Sequence, residues 1–159
     1  MAGAEPEYVE FAATDPAAVL PTMAAMAKSH KGWINFEPAV HVEDAPPPRT
    51  GLFSLFSGRG PSVPLATWSP GEVHRTRTEP AMVGILHASG PRAKDRLAEA
   101  RRAVPEGWVV TQDHSKKGLV VAVPPTVGHA DVVDWLIGAA TALSVIPLTG
   151  TWRAAIHSG

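Results

Sequence analysis

The sequence predicts an α+β fold in which a ferredoxin-like βαββαβ unit occupies residues 81–159. Its elements follow the order strand, helix, strand, tight turn, strand, helix, strand. The two strands that this topology places in the centre of the sheet, MVGILHA and LVVAV, are more apolar than the edge pair, WVVTQD and TWRAAIH. Both central strands are also apolar on both faces, so we expect an N-terminal α/β extension to cover the sheet, or a second copy of the chain to do so.

Residues 1–42 predict a strand, a helix and a second strand. A short strand over 7–13 precedes Thr14 or Asp15, either of which can cap a helix. Pro21 predicts that this helix either kinks or starts there, and Gly32 can close it. The second strand runs from Trp33 to Val40.

Residues 43–80 predict a loop rich in proline and glycine, with short strands at 63–68 and 73–78. Four large apolar side chains lie within it, which a plain linker does not need: Leu52, Phe53, Leu55 and Phe56. We interpret them as an interaction tip that docks on its own domain or, as the second alternative, on a partner.

The C-terminal unit is predicted from local signals. Strands are expected at 81–88, 108–113, 119–123 and 151–157, and helices after Pro91 and over 130–144. The second helix buries one face, through Val133, Leu136, Ile137, Ala140 and Leu143. With 159 residues, of which 45 % are hydrophobic and 18 % charged, we expect a single domain with a substantial core.

Composition excludes several classes of protein. The absence of cysteine rules out disulfides, thiolate catalysis and cysteine-ligated metal sites. No apolar run approaches the roughly 18 residues that span a bilayer. The N-terminus lacks the basic region of a secretory signal. These features predict a cytoplasmic protein with no membrane partner.

Charge is uneven along the chain. The net charge is −4 over residues 1–50, +4 over residues 51–102 and −1 over residues 103–159. A basic middle segment can meet an acidic partner, yet nucleic-acid binders usually carry a basic excess over the whole domain. We therefore do not expect nucleic acid as a partner, and the simpler interpretation is that the basic segment faces the acidic N-terminal part or forms a solvated helix surface.

One binding site is predicted, for a small anion. Ferredoxin-like topology gathers one set of polar side chains at one edge: His87, Ser89, Gly90, Arg92, His114, Lys116 and Lys117. A helix N-terminus with nearby cations attracts phosphate or carboxylate groups. The alternative is that these are ordinary soluble turn residues, because no phosphate-binding glycine motif occurs anywhere in the chain.

The sequence predicts no metal, no cofactor and no catalytic residue. His129, Asp131 and Asp134 cluster, but no HExxH, HxH or HxxxH spacing is present. No GxSxG nucleophile motif occurs either.

Four phrases, HKGWINFEPAV, LFSGRGPSVPLATWSPGE, PEGWVVTQDHSKKGLVV and VIPLTGTWRAAIH, resemble a group of small bacterial proteins with a domain of unknown function. That resemblance implies no activity and no site residues. Three functional hypotheses remain open: a non-enzymatic binding or regulatory module, with a homodimer as one form of it; a protein that binds a small anion or nucleotide through 89–92; and a small enzyme of unknown reaction.

Overall fold

A computed structural model describes residues 4–46 and 59–159, which form one seven-stranded antiparallel sheet and three α-helices. The elements, in chain order, are β1 (Glu7–Ala12), α1 (Leu20–Ser29), β2 (Trp33–Pro38), β3 (Leu65–Ser69), β4 (Ala81–Leu86), α2 (Ala93–Glu99), β5 (Val109–His114), β6 (Gly118–Val123), α3 (His129–Leu143) and β7 (Thr151–His157). Short 3-10 helices cover Ala17–Val19 and Val42–Asp44. The predicted α+β class is therefore confirmed.

The strand order is β1-β7-β2-β3-β4-β6-β5, and this order does not confirm the ferredoxin-like topology. Strands β4, β6 and β5 are adjacent as predicted. Strand β7 was expected beside β4 at an edge, but it lies between β1 and β2, with Ala154 opposite both Val9 and Phe36. Its alternating Trp152, Ala154 and Ile156 are buried, which suits an internal strand better than an edge strand.

The described part of the N-terminal extension lengthens the sheet, and its residues do not cover the second face. Strands β1, β2 and β3 join the same sheet as the C-terminal strands. Helix α3 contacts both α1 and α2, so the three helices pack on one face. On the opposite face, the described residues of β4 and β6 leave a row of partly exposed apolar side chains: Met82, Leu86, Val120 and Ala122.

The core lies between that sheet and its helices. Trp68, Phe36, Ile34 and Ile85 project from the strands and are fully buried. The five residues predicted as the buried face of the second helix are all buried in α3. Pro21 lies in the first turn of α1, so the helix starts there and does not kink.

The loop between β2 and β3 differs from its predicted pattern. The expected strand at 63–68 is observed at Leu65–Ser69. The expected strand at 73–78 is reduced to a single bridge between Val73 and Thr78. The predicted interaction tip, Leu52, Phe53, Leu55 and Phe56, lies outside the described residues. In the described part of the chain, no helix has the length and apolar character needed to cross a bilayer.

Candidate functional site

Two adjoining cavities form a cleft at one end of the strands, where β2 and β4 begin and β3 and β6 end. We call this end of the sheet the β2–β4 edge. Their volumes are about 510 Å³ and about 420 Å³, and four residues line both: His30, Pro70, Glu79 and Pro80. Antiparallel pairing brings these strand ends to one edge, since Ser69 pairs with Met82 and Ala81 pairs with Val123. The C-terminus of α1 and the N-terminus of α3 complete the walls.

The smaller cavity is mainly apolar. Its described lining includes seven small or aliphatic residues, Ala27, Ala81, Val123, Pro124, Pro125, Val127 and Val132. Trp68 is 1 % exposed and closes one wall. The imidazole of His129 meets the indole edge to face, with ring centroids 5.7 Å apart. A volume of this size and an apolar lining with a few polar groups are typical of small-molecule sites.

Local backbone geometry places His30 between the two cavities. His30 ends α1 in the left-handed conformation, and its N–H donates to the carbonyl of Met26. Gly32 follows with a φ of +84°, and a Cβ there would come within 2.4 Å of the carbonyl oxygen of His157. Only glycine therefore lets the chain turn so tightly from α1 into β2.

One polar atom of this cleft has no partner. Nδ1 of His30 is buried and makes no hydrogen bond within the described structure. A buried ring nitrogen without a partner costs about 1–3 kcal/mol.

The larger cavity has a polar wall on the open face of the sheet. Trp33 stacks on His157 with ring centroids 4.6 Å apart and planes at 7°. The amide of Asn35 donates to Nε2 of His157 at 3.4 Å and accepts from the hydroxyl of Thr67 at 2.9 Å. These contacts fix the flat ring of Trp33 at the mouth of the cavity.

The loop that joins β3 to β4 brings together three side chains of types that can ligate a metal, and two of them, Glu72 and Glu79, line the cleft. Glu72, His74 and Glu79 lie close together, with ligand atoms all within 4.8 Å of one another. These residues do not follow the helical or HxH spacings of common metal motifs. They lie two and seven positions apart in the sequence, and only a hairpin brings them together. In the sequence, the polar segment EVHRTRTE indicates this cluster if it is interpreted as a tight hairpin.

The predicted anion site lies at the other end of the strands, opposite the β2–β4 edge. His87 is 0 % exposed, and its Nδ1 accepts hydrogen bonds from the N–H and the hydroxyl of Ser89, at 3.2 and 2.8 Å. Gly60 packs against the carbonyl of His87 and donates to the carbonyl of Ser115, which joins His87 to the β5–β6 turn. His87, Ser89 and this turn are thus brought together.

Other members of the predicted set serve local structure. Nδ1 of His114 accepts from the backbone N–H groups of Lys116 and Lys117, at 3.0 Å each. Gly90 has a φ of +96°, and Arg92, which precedes α2, has a φ of +59°. Arg92, Lys116 and Lys117 are exposed cations on this edge.

Asp113 competes with any anion at the start of α2. Its two carboxylate oxygens accept from the N–H groups of Ala93 and Lys94, at 3.0 Å each. Two of the donors at this helix terminus are thus already satisfied by the chain itself. Anion binding by His87, Ser89, Gly90, Arg92, His114, Lys116 and Lys117 stays a prediction.

Comparisons with known proteins leave the family open. No family model, no curated protein and no solved structure matches the chain.

Proposed function

We propose that this protein is a non-enzymatic binding module that holds a small organic ligand in the cleft at the β2–β4 edge. The observation that carries the proposal is the cavity of about 420 Å³ between Trp68 and the aliphatic residues of β4, β6 and α3. Cavities of about 300–1,000 Å³ with an apolar lining and few polar groups are the usual form of ligand sites.

The lining defines the ligand. Its body is apolar, because aliphatic side chains, proline rings and an indole surround it. One end is polar, because the lining also includes His30, Glu79 and His129, whose side chains carry hydrogen-bonding groups. Burial of the apolar body contributes about 25 cal/mol for each Å² removed from water.

A matched series of probes tests this proposal. We expect phenethylamine, phenylpropionate and ethylbenzene to raise the midpoint of thermal unfolding to different extents, because they share an apolar body and differ at the polar end. The same titrations quench tryptophan fluorescence, since Trp68 lines the cavity. All are run with a chelator present, so that metal ions do not contribute.

Ala81→Leu is the blocking variant, because Ala81 lines the smaller cavity and leucine fills part of it. Ala122→Leu is the matched control. Ala122 lies on the neighbouring strand and lines neither cavity. We expect the midpoint shift to disappear in Ala81→Leu and persist in Ala122→Leu. Equal shifts in both variants, or no shift with any probe at millimolar concentration, would overturn the proposal.

A homodimer is the second candidate function, favoured by the face of the sheet that the described residues leave partly exposed. Met82, Leu86 and Val120 lie there, and Val109 at its margin is 58 % exposed. An apolar surface of this kind is typical of an interface. Sedimentation at high micromolar concentration tests it: a strict monomer removes the dimer, and Val120→Lys should dissociate any dimer that forms. We also propose a cytoplasmic location, supported by the cysteine-free sequence.

A further inference from the structure

The hairpin between β3 and β4 gathers a nitrogen ligand and two oxygen ligands on one side. Nε2 of His74 lies 3.5 Å from Oε2 of Glu72 and 3.3 Å from Oε1 of Glu79. All three ligand atoms are within 4.8 Å of one another. Imidazole and carboxylate groups at such separations are the ligand types of zinc and related divalent ions.

The backbone holds these side chains together in the absence of any ion. The N–H of Glu79 donates to the carbonyl of Glu72, and the N–H of His74 donates to the carbonyl of Arg77, both at 2.7 Å. Residues 72 and 79 are therefore opposite each other, as are 74 and 77. Alternate residues of a strand share a face, so all four side chains project to the same side of the hairpin.

That pairing places two carboxylates directly across from each other. Like charges opposite one another in a strand pair are destabilising unless a cation lies between them. His74 lies within contact distance of both carboxylates, and Nη2 of Arg77 lies 3.3 Å from Oε1 of Glu79. The site is built to hold positive charge between Glu72 and Glu79.

Two of the three side chains also line the cleft. Glu72 and Glu79 line the cavity of about 510 Å³, and Glu79 also lines the smaller one. An ion held by these carboxylates is therefore open to water or to a ligand donor within the cleft. Three protein ligands with an accessible further position are the pattern of zinc sites that bind small molecules.

We propose that Glu72, His74 and Glu79 form a binding site for a divalent transition-metal ion, with Zn²⁺ as the best match. Ca²⁺ and Mg²⁺ fit poorly, because they prefer six or more oxygen ligands and do not use imidazole. The proposal goes beyond the ligand-binding function proposed above and does not depend on it.

Arg77 is a built-in competitor for the ion. Its guanidinium contacts the same carboxylate oxygen of Glu79 that contacts Nε2 of His74. A metal ion bound through this oxygen would compete with the guanidinium for it. Removing Arg77 should consequently strengthen metal binding, whereas a hairpin in which Arg77 had only a structural role would give no such gain.

Titration of the chelator-stripped protein tests the proposal. We expect Zn²⁺ to bind with one equivalent by calorimetry, and Co²⁺ to give visible absorption bands of a low-coordinate site. His74→Ala and Glu79→Gln should each weaken Zn²⁺ binding roughly tenfold or more, since each removes one of three ligands. Arg77→Ala should tighten it. Mg²⁺ should produce no comparable heat.

His41→Ala is the matched control, because His41 is also exposed and lies outside the cluster. It should bind Zn²⁺ as the wild-type protein does. The variants change exposed or half-exposed side chains, and circular dichroism confirms that each is folded. No heat with Zn²⁺ at millimolar concentration overturns the proposal, as does Zn²⁺ binding that His74→Ala and Glu79→Gln leave unchanged. The ligand test above, run in chelator, is unaffected by either result.

Discussion

At the scale of single residues, His87 is the one polar or charged side chain that is buried in the described part of the chain. Its imidazole is fully buried, and Nδ1 accepts both hydrogen bonds from Ser89, which assigns the ring proton to Nε2. Nε2 has no partner among the described residues. Burial lowers the pKa of His87 and Arg96 lowers it further, while the charge of Asp113 opposes them. The folded protein therefore holds a neutral imidazole at this position.

This burial predicts a dependence of stability on pH. The pKa of His87 is lower in the folded than in the unfolded protein, so the unfolded chain binds the extra proton as pH falls below about 6.5. The free energy of unfolding should then fall by up to about 1.4 kcal/mol per pH unit from this group alone. Chemical denaturation of the wild-type protein and His87→Asn between pH 8 and pH 5 measures the effect.

The two proteins are compared by the slope of the free energy of unfolding against pH, because His87→Asn also removes ring volume from the core. Asparagine keeps an acceptor for Ser89 and cannot titrate in this range. Its free energy of unfolding should depend less steeply on pH below about 6.5 than that of the wild type. Parallel pH profiles for the two proteins would contradict a neutral buried His87.

Residue-level features of the cleft were not predictable from the sequence. His30 and Glu79 are separated by 49 positions, and only the pairing of β2 with β3 and of β3 with β4 brings their surroundings together. Nothing in local composition marks either residue as part of a cavity. The seven residues of the predicted anion site follow from the expected ferredoxin-like topology. The carboxylate of Asp113, which competes with an anion there, is revealed only by the three-dimensional structure.

At the scale of elements, local patterns predicted most helices and strands to within two or three residues. Period-3.6 apolar spacing identified α3, because its buried residues repeat at helical intervals. The strand expected at 73–78 failed because its residues are polar and exposed, so only one bridge forms there. Helix α2 depends on more than its own residues, since Asp113 of β5 satisfies its first N–H groups.

Asp113 is therefore predicted to stabilise α2 from a neighbouring strand. Asp113→Ala should lower the free energy of unfolding by about 1–2 kcal/mol, the usual loss when a capping oxygen is removed. Asp95→Ala is the control, because Asp95 is an exposed carboxylate in the first turn of the same helix and interacts mainly with the helix dipole. Urea denaturation measures both losses, and equal losses would show that Asp113 acts only through its charge.

At the scale of the whole molecule, the sheet contains two similar arrangements. Strands β1 and β2 are parallel to each other around the antiparallel β7, and β4 and β5 are parallel around the antiparallel β6. Gly32–Trp33 and Gly107–Trp108 introduce the second strand of each arrangement, and both glycines have positive φ. The sequence could not reveal this, because the partner of β1 and β2 comes from the far end of the chain.

That long-range pairing makes residues 81–159 incomplete as a folding unit. Within the described structure, β7 pairs with β1 and β2 and does not pair with β4. A fragment of residues 81–159 would leave Trp152, Ala154 and Ile156 without the strands that flank them, exposing surface that the full chain buries. We expect this fragment to lack a cooperative unfolding transition, and we expect the full chain to unfold in one step because all seven strands share one sheet.

Fragment complementation separates this explanation from simple insolubility. Mixing residues 1–80 with residues 81–159 should restore the near-ultraviolet dichroism of the buried tryptophans, because β7 can then pair between β1 and β2. Replacing Ala154 by Asp in the second fragment should prevent recovery, since position 154 is buried opposite Val9 and Phe36. A fragment 81–159 that unfolds cooperatively alone would instead mean that β7 can pair with β4, and the ferredoxin-like order expected from the sequence would be an accessible fold of this segment.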